Sequence, residues 1–225
     1  MTTSLEQHRK QASDQSLGAS HQQIYEKAEQ LLIKHCNGKK HLDFGSGQGS
    51  FLKQLHHGSL SLQLSGADLM AKPKDVDSEI NWIQADLNGK IDVANESFDS
   101  ISALEIIEHL ENPRHVFREI YRLLKPNGIL IMSTPNNESW RAILSYMKRG
   151  HFVAFTDQDY PAHITPLNRK DLLRAADEAG FKCLGWDFPK KGALPVLTNY
   201  SWQGMSMGLL KGLRYSDNIF IILQK

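Results

Sequence analysis

Residues 41–52 read HLDFGSGQGSFL: a short apolar strand, a turn with three alternating glycines, and the start of a helix. Such a turn after a first parallel strand is typical of a nucleotide-type cofactor site, because glycine lets the backbone approach a ligand closely. Gly45, Gly47 and Gly49 are spaced Gly-x-Gly-x-Gly, whereas a dinucleotide fingerprint is Gly-x-Gly-x-x-Gly. Asp43 adds a carboxylate at the strand end, which favours a cationic or amine-bearing ligand over a pyrophosphate.

Apolar segments with strand character alternate with amphipathic helical segments along the chain. Strands are predicted over residues 40–44, 62–69, 81–87, 98–105, 129–133, 181–188 and 219–223. Helices are predicted over residues 21–36, 113–124, 138–148 and 169–179, with a further helix ending near residue 55. This alternation predicts an α/β fold with a doubly wound, mostly parallel sheet.

Composition sets outer limits on the class of protein. The 225 residues carry a formal net charge of +1 and are 40% hydrophobic, which suits a globular core and gives no reason to expect DNA binding. No apolar run reaches the ~18 residues of a transmembrane segment. Cys36 and Cys183 have neither metal-ligand nor disulfide spacing, so we expect a cytoplasmic protein. We expect a monomer or a homodimer.

The chain divides into two parts on these patterns. Residues 1–20 are polar and are predicted to be a flexible N-terminus without a secretory signal. Residues 21–225 are predicted to be a single domain with an N-terminal helix at 21–37. Lid or substrate insertions are expected at about 137–167 and 189–216.

Three acidic residues end three consecutive predicted strands, and the carboxyl ends of parallel strands share one rim of the sheet. They are Asp43, Asp68 and Asp86. Asp68 lies 25 residues after Asp43, near the ~20-residue offset at which an acid reaches ribose hydroxyls. Asp86 and Leu87 are placed to hold a base. The pattern therefore indicates a ligand with an amine end, a ribose and an adenine.

These motifs resemble those of class I S-adenosylmethionine-dependent methyltransferases. The matching stretches are DFGSGQG at 43–49, GAD at 66–68, ADL at 85–87 and LLKPNGIL at 123–130. The resemblance covers about residues 40–136. It implies a Rossmann-like sheet of seven strands whose last strand, at 219–223, is antiparallel. It also implies S-adenosylmethionine as cofactor, with S-adenosylhomocysteine as product.

The resemblance further implies which residues contact the cofactor. The glycine turn lies against the methionine part, Asp43 faces the amino end, Asp68 the ribose, and Asp86 with Leu87 the adenine. The complete set of expected cofactor-binding residues is Asp43, Gly45, Ser46, Gly47, Gly49, Asp68, Leu69, Asp86, Leu87 and Glu105.

A second group of titratable residues follows the fourth predicted strand, where residues 105–113 read EIIEHLENP. A helical turn beginning at Glu105 is expected to place Glu108 and His109 on the same face. Glu108, His109 and His163 are the candidate catalytic residues, with either histidine as a general base. A divalent ion held by Glu105, Glu108, His109 and His163 is a less favoured alternative.

The same Glu-x-x-Glu-His pattern resembles several kinds of methyltransferase. It is found in small-molecule methyltransferases of the ubiquinone type, and in RNA 3′-end methyltransferases where a second histidine completes a metal site. It is also found in many methyltransferases for which no metal is implied, where the glutamate lines the pocket and the histidine packs the loop. The resemblance therefore leaves metal dependence open.

The segments after the fifth strand are expected to contact the acceptor, and they resemble methyltransferases encoded among bacterial glycan-assembly enzymes. The sequence predicts methyl transfer to a small-molecule or glycan-type acceptor, at oxygen. An RNA methyltransferase, a cofactor-binding module without turnover and a nicotinamide-dependent oxidoreductase are alternatives, of which the glycine spacing disfavours the last. Residues 189–216 favour an apolar flap or dimer contact over peripheral contact with a membrane surface.

Overall fold

The computed structural model describes residues 20–195 and 197–225, so the N-terminus predicted to be flexible lies outside it except for Ser20. The strands are β1 (Lys40–Phe44), β2 (Gln63–Asp68), β3 (Asn81–Gln84), β4 (Phe98–Leu104), β5 (Leu124–Pro135), β6 (Lys182–Asp187) and β7 (Asn218–Gln224). The α-helices are α1 (Gln22–His35), α2 (Ser50–His57), α3 (Pro113–Leu123), α4 (Trp140–Arg149), α5 (Arg169–Ala179) and α6 (Trp202–Met205). Two 3₁₀ turns span Ile107–His109 and Leu213–Tyr215.

All seven strands form one sheet in the order β3-β2-β1-β4-β5-β7-β6. Strands β1 to β5 pair in parallel, whereas β7 runs antiparallel to both β5 and β6. The chain proceeds from β1 outward to β3 and then returns to β4 on the other side of β1. The predicted doubly wound, Rossmann-like sheet with an antiparallel last strand is therefore confirmed, and its switch point lies between β1 and β4.

The sheet is covered on both faces, because successive side chains of a strand point to opposite sides. In β5, Ile129 and Ile131 face the core beneath α1 and α2, whereas Leu130 and Met132 face the core beneath α3 and α5. The same alternation continues in β7. A continuous apolar run such as Ile129–Met132 is therefore buried on both faces, as its composition indicates.

Two strand boundaries differ from the predictions by three residues or more, for local reasons. Strand β3 ends at Gln84 rather than at residue 87, and Oδ1 of Asp86 accepts the backbone N–H of Asn88 at 2.9 Å. Such a side-chain-to-backbone bond competes with continuation of the ladder. Strand β5 begins at Leu124, ahead of the predicted start at Ile129, because Leu124 already pairs with β4.

The two expected insertions differ in regularity. The first, at about 137–167, contains α4 and then no helix or strand over residues 151–167, whereas the second, at 189–216, includes α6, a 3₁₀ turn and a bridge between Ala193 and Ser201. Their role as a lid or substrate segment stays a prediction. Among the described residues, no helix has both the length and the apolar character needed to cross a membrane.

Candidate active site

The candidate site lies at the switch point, where the turns after β1 and β4 meet. Gly45 follows β1 and packs directly against Ile106, which follows β4. A Cβ built on Gly45 would lie 2.5 Å from Cγ1 of Ile106, a distance that real Cβ atoms do not show. Glycine is therefore required here for the two turns to approach each other, and the predicted cofactor and catalytic residues lie on either side of this contact.

The glycine turn is held in shape by a carboxylate. Gly45, Gly47 and Gly49 have φ angles of +87°, +48° and +69°, which side-chain-bearing residues rarely adopt. The backbone N–H of Gly47 donates to Oδ2 of Asp68 at 2.8 Å, and that of Met70 donates to Oδ1 at 2.9 Å. Asp68 therefore ties the turn after β1 to the turn after β2.

Asp43 is buried beneath the glycine turn. Its Oδ1 atom accepts the hydroxyl of Ser102 at 2.6 Å, and its backbone carbonyl accepts the hydroxyl of Ser46 at 2.7 Å. Burial raises the pKa of Asp43 to about 7, the charge of Asp68 raises it further, and the Ser102 hydrogen bond opposes the rise. A positively charged group arriving beside this carboxylate would favour its ionised form.

The three acids predicted at the rim lie on neighbouring strands. Asp43 is in β1, Asp68 ends β2, and Asp86 follows β3 within two residues. Since neighbouring strands are ~4.8 Å apart, the acids span roughly 10 Å of the rim. Leu87 is buried beside Asp86, with 4% of its surface exposed. Leu69 lies in the loop between β2 and β3. An extended ligand with an amine end, a ribose and a base fits this donor set.

Glu105 does not begin a helical turn, so that expectation is wrong. Its φ angle is +51°, and the 3₁₀ turn begins only at Ile107. Its carboxylate bridges two strands, because Oε1 accepts the hydroxyl of Ser133 at 2.7 Å and Oε2 accepts the Nδ2–H of Asn218 at 2.6 Å. Burial raises the pKa of Glu105 to about 7, against the effect of these two hydrogen bonds.

Glu108 is fully buried behind Glu105. Its Oε2 atom accepts the hydroxyl of Thr134 at 3.1 Å, whereas Oε1 has no hydrogen-bond partner among the described residues. Burial, and then the nearby Glu105, raise the pKa of Glu108 well above its usual value. The backbone carbonyl of Glu108 accepts the N–H groups of Ile164 and Thr165, both at 3.0 Å. These two bonds hold the loop at 151–168 to the 3₁₀ turn that contains Glu108.

His109 and His163 form a pair, with ring centroids 4.7 Å apart. Nδ1 of His109 bonds the carbonyl oxygen of Ala162 at 2.8 Å, and Nδ1 of His163 bonds the carbonyl oxygen of Ala154. A carbonyl oxygen only accepts, so each Nδ1 carries a hydrogen and each neutral ring holds its lone pair on Nε2. Burial and then the neighbouring His163 lower the pKa of His109 to about 4, which keeps it neutral.

The structure brings together all three predicted catalytic residues. One ligand atom from each of Glu108, His109 and His163 lies within 4.8 Å of the others. Glu105 is not part of this cluster, and both of its carboxylate oxygens are engaged by Ser133 and Asn218. Of the four residues considered for a divalent ion, the structure therefore brings three together.

One polar group lies below the site that the motifs did not indicate. The sequence suggests a strand-edge position for His41, but the residue is fully buried in β1. Its ring bonds Ser100 and Ser102 of β4. The alternating serines of β4, Ser100 and Ser102, are the one sequence signal that could have indicated this network.

Comparison with known proteins places the chain in a family. A family model described as a methyltransferase domain matches residues 19–185. The ubiquinone biosynthesis O-methyltransferase of Pasteurella multocida (strain Pm70) is 27% identical over 167 residues, covering 65% of this chain and 67% of that protein. The protein of the same name from Idiomarina loihiensis (strain ATCC BAA-735 / DSM 15497 / L2-TR) is 26% identical over 153 residues, covering 64% and 62%. The chain spans about two thirds of the length of these relatives.

Solved structures share the fold. A SAM dependent methyltransferase from Archaeoglobus fulgidus superposes with a TM-score of 0.64, covering 94% of this chain and 97% of that one at 15% identity. At this identity the likeness concerns the fold alone. The family model, by contrast, matches well over half of the chain and includes the glycine turn and the three rim acids. The chain therefore belongs to the class I S-adenosylmethionine-dependent methyltransferases, the enzymes that take a methyl group from S-adenosylmethionine.

Proposed function

We propose that this protein transfers the methyl group of S-adenosylmethionine to an oxygen atom of a small-molecule or glycan-type acceptor. The observation that carries the proposal is the imidazole pair of His109 and His163, whose Nε2 atoms both hold lone pairs. A hydroxyl acceptor must lose its proton during methyl transfer, and a neutral imidazole is a suitable base. An amine acceptor needs no such base once it arrives neutral.

The rim residues divide the cofactor between them in this proposal. The glycine turn contacts the methionine part, Asp43 the amino end, Asp68 the ribose, and Asp86 with Leu87 the adenine. The full cofactor-binding set is Asp43, Gly45, Ser46, Gly47, Gly49, Asp68, Leu69, Asp86, Leu87 and Glu105. The support is their common position at the carboxyl ends of β1 to β4.

The chemistry needs little from the protein beyond alignment and a base. S-adenosylmethionine, when bound, supplies a methyl group already activated by its sulfonium. Holding the acceptor oxygen in line with that methyl group can contribute ~7–11 kcal/mol to catalysis. Nε2 of His109 or His163 takes the acceptor proton, and the Nδ1–H bonds to carbonyl oxygens stabilise the imidazolium that forms. The neighbouring ring of His163, with its centroid 4.7 Å away, lowers the pKa of His109.

The names of the relatives support oxygen as the methylated atom. Two of the most similar curated proteins are named ubiquinone biosynthesis O-methyltransferases. Their identity to this chain is 27% and 26%, so the acceptor itself is proposed here only as a class. The cytoplasmic location expected from the sequence is also part of the proposal, and cell fractionation tests it.

The cluster of Glu108, His109 and His163 also fits a divalent cation. The unpartnered Oε1 of Glu108 and the two Nε2 atoms are suitable donors, and both Nδ1 atoms bond carbonyl oxygens as metal-ligating histidines do. A cation held there would polarise the acceptor oxygen. The proposal remains base catalysis, and chelation tests whether a cation is required.

The experiment measures methyl transfer from tritiated S-adenosylmethionine to a panel of phenols, sugar nucleotides, amines and short RNAs. Mass spectrometry then locates the methyl group. We expect turnover with a hydroxyl acceptor, loss of about 100-fold in kcat in His109→Gln or His163→Gln, and cofactor affinity within twofold of wild type. Turnover only with amines or RNA would overturn the acceptor class.

Two further controls distinguish the alternatives. If the reaction is base-catalysed, neither chelation nor later addition of Mg²⁺, Mn²⁺ or Zn²⁺ changes turnover. If a cation is required, chelation abolishes turnover and the added cation restores it, and Glu108→Gln prevents that recovery. Binding of S-adenosylhomocysteine without turnover on any acceptor contradicts the proposed reaction and leaves a cofactor-binding module.

A further inference from the structure

A ladder of four polar side chains crosses the centre of the sheet. His41 and Asp43 in β1 lie opposite Ser100 and Ser102 in β4. Nδ1 of His41 bonds Oγ of Ser100 at 2.9 Å, Nε2 of His41 bonds Oγ of Ser102 at 3.0 Å, and Ser102 bonds Asp43 at 2.6 Å. All four residues are 3% exposed or less.

The direction of the hydrogen bonds in this ladder follows from the ionised form of Asp43, which only accepts. Ser102 has one hydroxyl hydrogen, which it donates to Oδ1 of Asp43, so it can only accept from Nε2 of His41. A neutral imidazole with its hydrogen on Nε2 accepts at Nδ1, where Ser100 donates. Burial lowers the pKa of His41 to about 3, so the ring stays neutral. Donation therefore runs from Ser100 through His41 and Ser102 to Asp43.

The surroundings of the ladder are apolar. His41 meets the edge of Phe51, with ring centroids 6.3 Å apart, and Phe51 stacks on Tyr25 of α1 at 5.6 Å. Apolar side chains would fill this part of the core without the cost of removing four polar groups from water. The only charged end of the ladder is Asp43, which lies under the glycine turn.

We propose that His41 is a positioning residue for the cofactor: acting through Ser102, it orients the carboxylate of Asp43 toward the cofactor's amino group. The inference rests on the role given to Asp43 under the proposed function. His41 touches neither cofactor nor acceptor, and its contribution is made through the Ser102 hydroxyl alone. The other titratable groups that face Asp43 are Asp68 of β2 and Tyr25 of α1.

The test compares two polar substitutions of similar size at position 41. In His41→Gln the side-chain amide nitrogen reaches the place of Nε2, so donation to Ser102 is kept. In His41→Asn the amide reaches only the place of Nδ1, and donation to Ser102 is lost. Calorimetric titration with S-adenosylhomocysteine measures affinity between pH 6 and 9, and thermal melting confirms that each variant is folded.

We expect His41→Asn to weaken S-adenosylhomocysteine about five- to tenfold, as loss of one hydrogen bond between the neutral side chains of His41 and Ser102 predicts. His41→Gln stays within twofold of wild type. In His41→Asn the rise of affinity with pH also moves to higher pH, since Asp43 has lost a group that favours its ionised form. At saturating cofactor, kcat is unchanged in both variants.

Ser102→Ala removes the one hydroxyl through which His41 reaches Asp43, so we expect it to weaken binding at least as much as His41→Asn does. Combining the two changes should add no further loss, because both break one chain of bonds. If Asp43→Asn binds S-adenosylhomocysteine as wild type does, the role of Asp43 fails. If Asp43→Asn weakens binding but His41→Asn and His41→Gln are equal, only the inference about His41 fails.

Discussion

The two halves of the candidate site are built by different means. The cofactor half consists of the loops after β1, β2 and β3, and its shape comes from backbone conformation, as in the positive φ angles of Gly45, Gly47 and Gly49. The proposed acceptor half consists of residues 106–110 and the loop at 151–168, and Glu105 lies between the two halves. The shape of the acceptor half comes from buried titratable side chains, among them Glu108, whose pKa is raised.

The difference indicates which half is complete without a ligand. In the cofactor half, Asp68 already accepts two backbone N–H groups. In the acceptor half, Oε1 of Glu108 is buried without a partner among the described residues. A buried carboxyl in that state costs stability, and proteins keep such groups mainly where a substrate, proton or ion meets them. In the proposed function, the cofactor half is therefore the fixed framework and the acceptor half provides the chemistry.

The largest expected effect tests the framework. Asp68→Ala leaves the N–H groups of Gly47 and Met70 unpaired, and we expect it to weaken S-adenosylhomocysteine at least about 100-fold, since each bond to a charged group contributes about 1.5–3 kcal/mol. Gly47→Val has a comparable effect, because valine is strained at a φ of +48°. Calorimetry measures the affinity of both variants for S-adenosylhomocysteine. Asp68→Asn is the matched control, for which we expect an intermediate loss of affinity. Affinity unchanged in Asp68→Ala would show that the turn holds its shape without this carboxylate.

The cofactor half was largely predictable from sequence, and the reason is local. Glycines at 45, 47 and 49 and acids at strand ends are consequences of backbone geometry within a few residues. Strand β1 was predicted with its observed ends, 40–44, because its apolar run stops at the glycine turn. The end of β3 was predicted three residues too late. The turn formed by Asp86 and Asn88 depends on a hydrogen bond from a side chain, which strand propensity does not include.

The acceptor half was predictable in its members but not in its geometry. The left-handed conformation of Glu105 depends on bonds to Ser133 and Asn218, which lie 28 and 113 residues away along the chain. The burial of His41 follows from the central position of β1, which only the strand order reveals. Such contacts between distant segments leave no periodic signal in one sequence.

The next effect tests the cost of the buried carboxyl. A raised pKa in the folded state means that Glu108 stabilises the fold below its unfolded pKa, and that this stability is lost as the pH rises through the folded value. We therefore expect Glu108→Gln to raise the free energy of unfolding by about 1–2 kcal/mol at pH 8 and by much less at pH 5. Urea unfolding at the two pH values measures this. Destabilisation at pH 8 would mean that the ionised carboxylate has a partner in the folded protein.

The smallest effect concerns the hydrogen bond that links Glu105, between the two halves, to β7. Asn218 donates to Oε2 of Glu105 at 2.6 Å, and this bond favours the ionised carboxylate. Removing it in Asn218→Ala should raise the pKa of Glu105 above about 7 and cost about 1 kcal/mol of stability at pH 8, but less at pH 5, where Glu105 is protonated. NMR titration of the carboxyl carbon and urea unfolding measure the two quantities. An equal loss at both pH values would assign Asn218 a packing role that does not depend on the charge of Glu105.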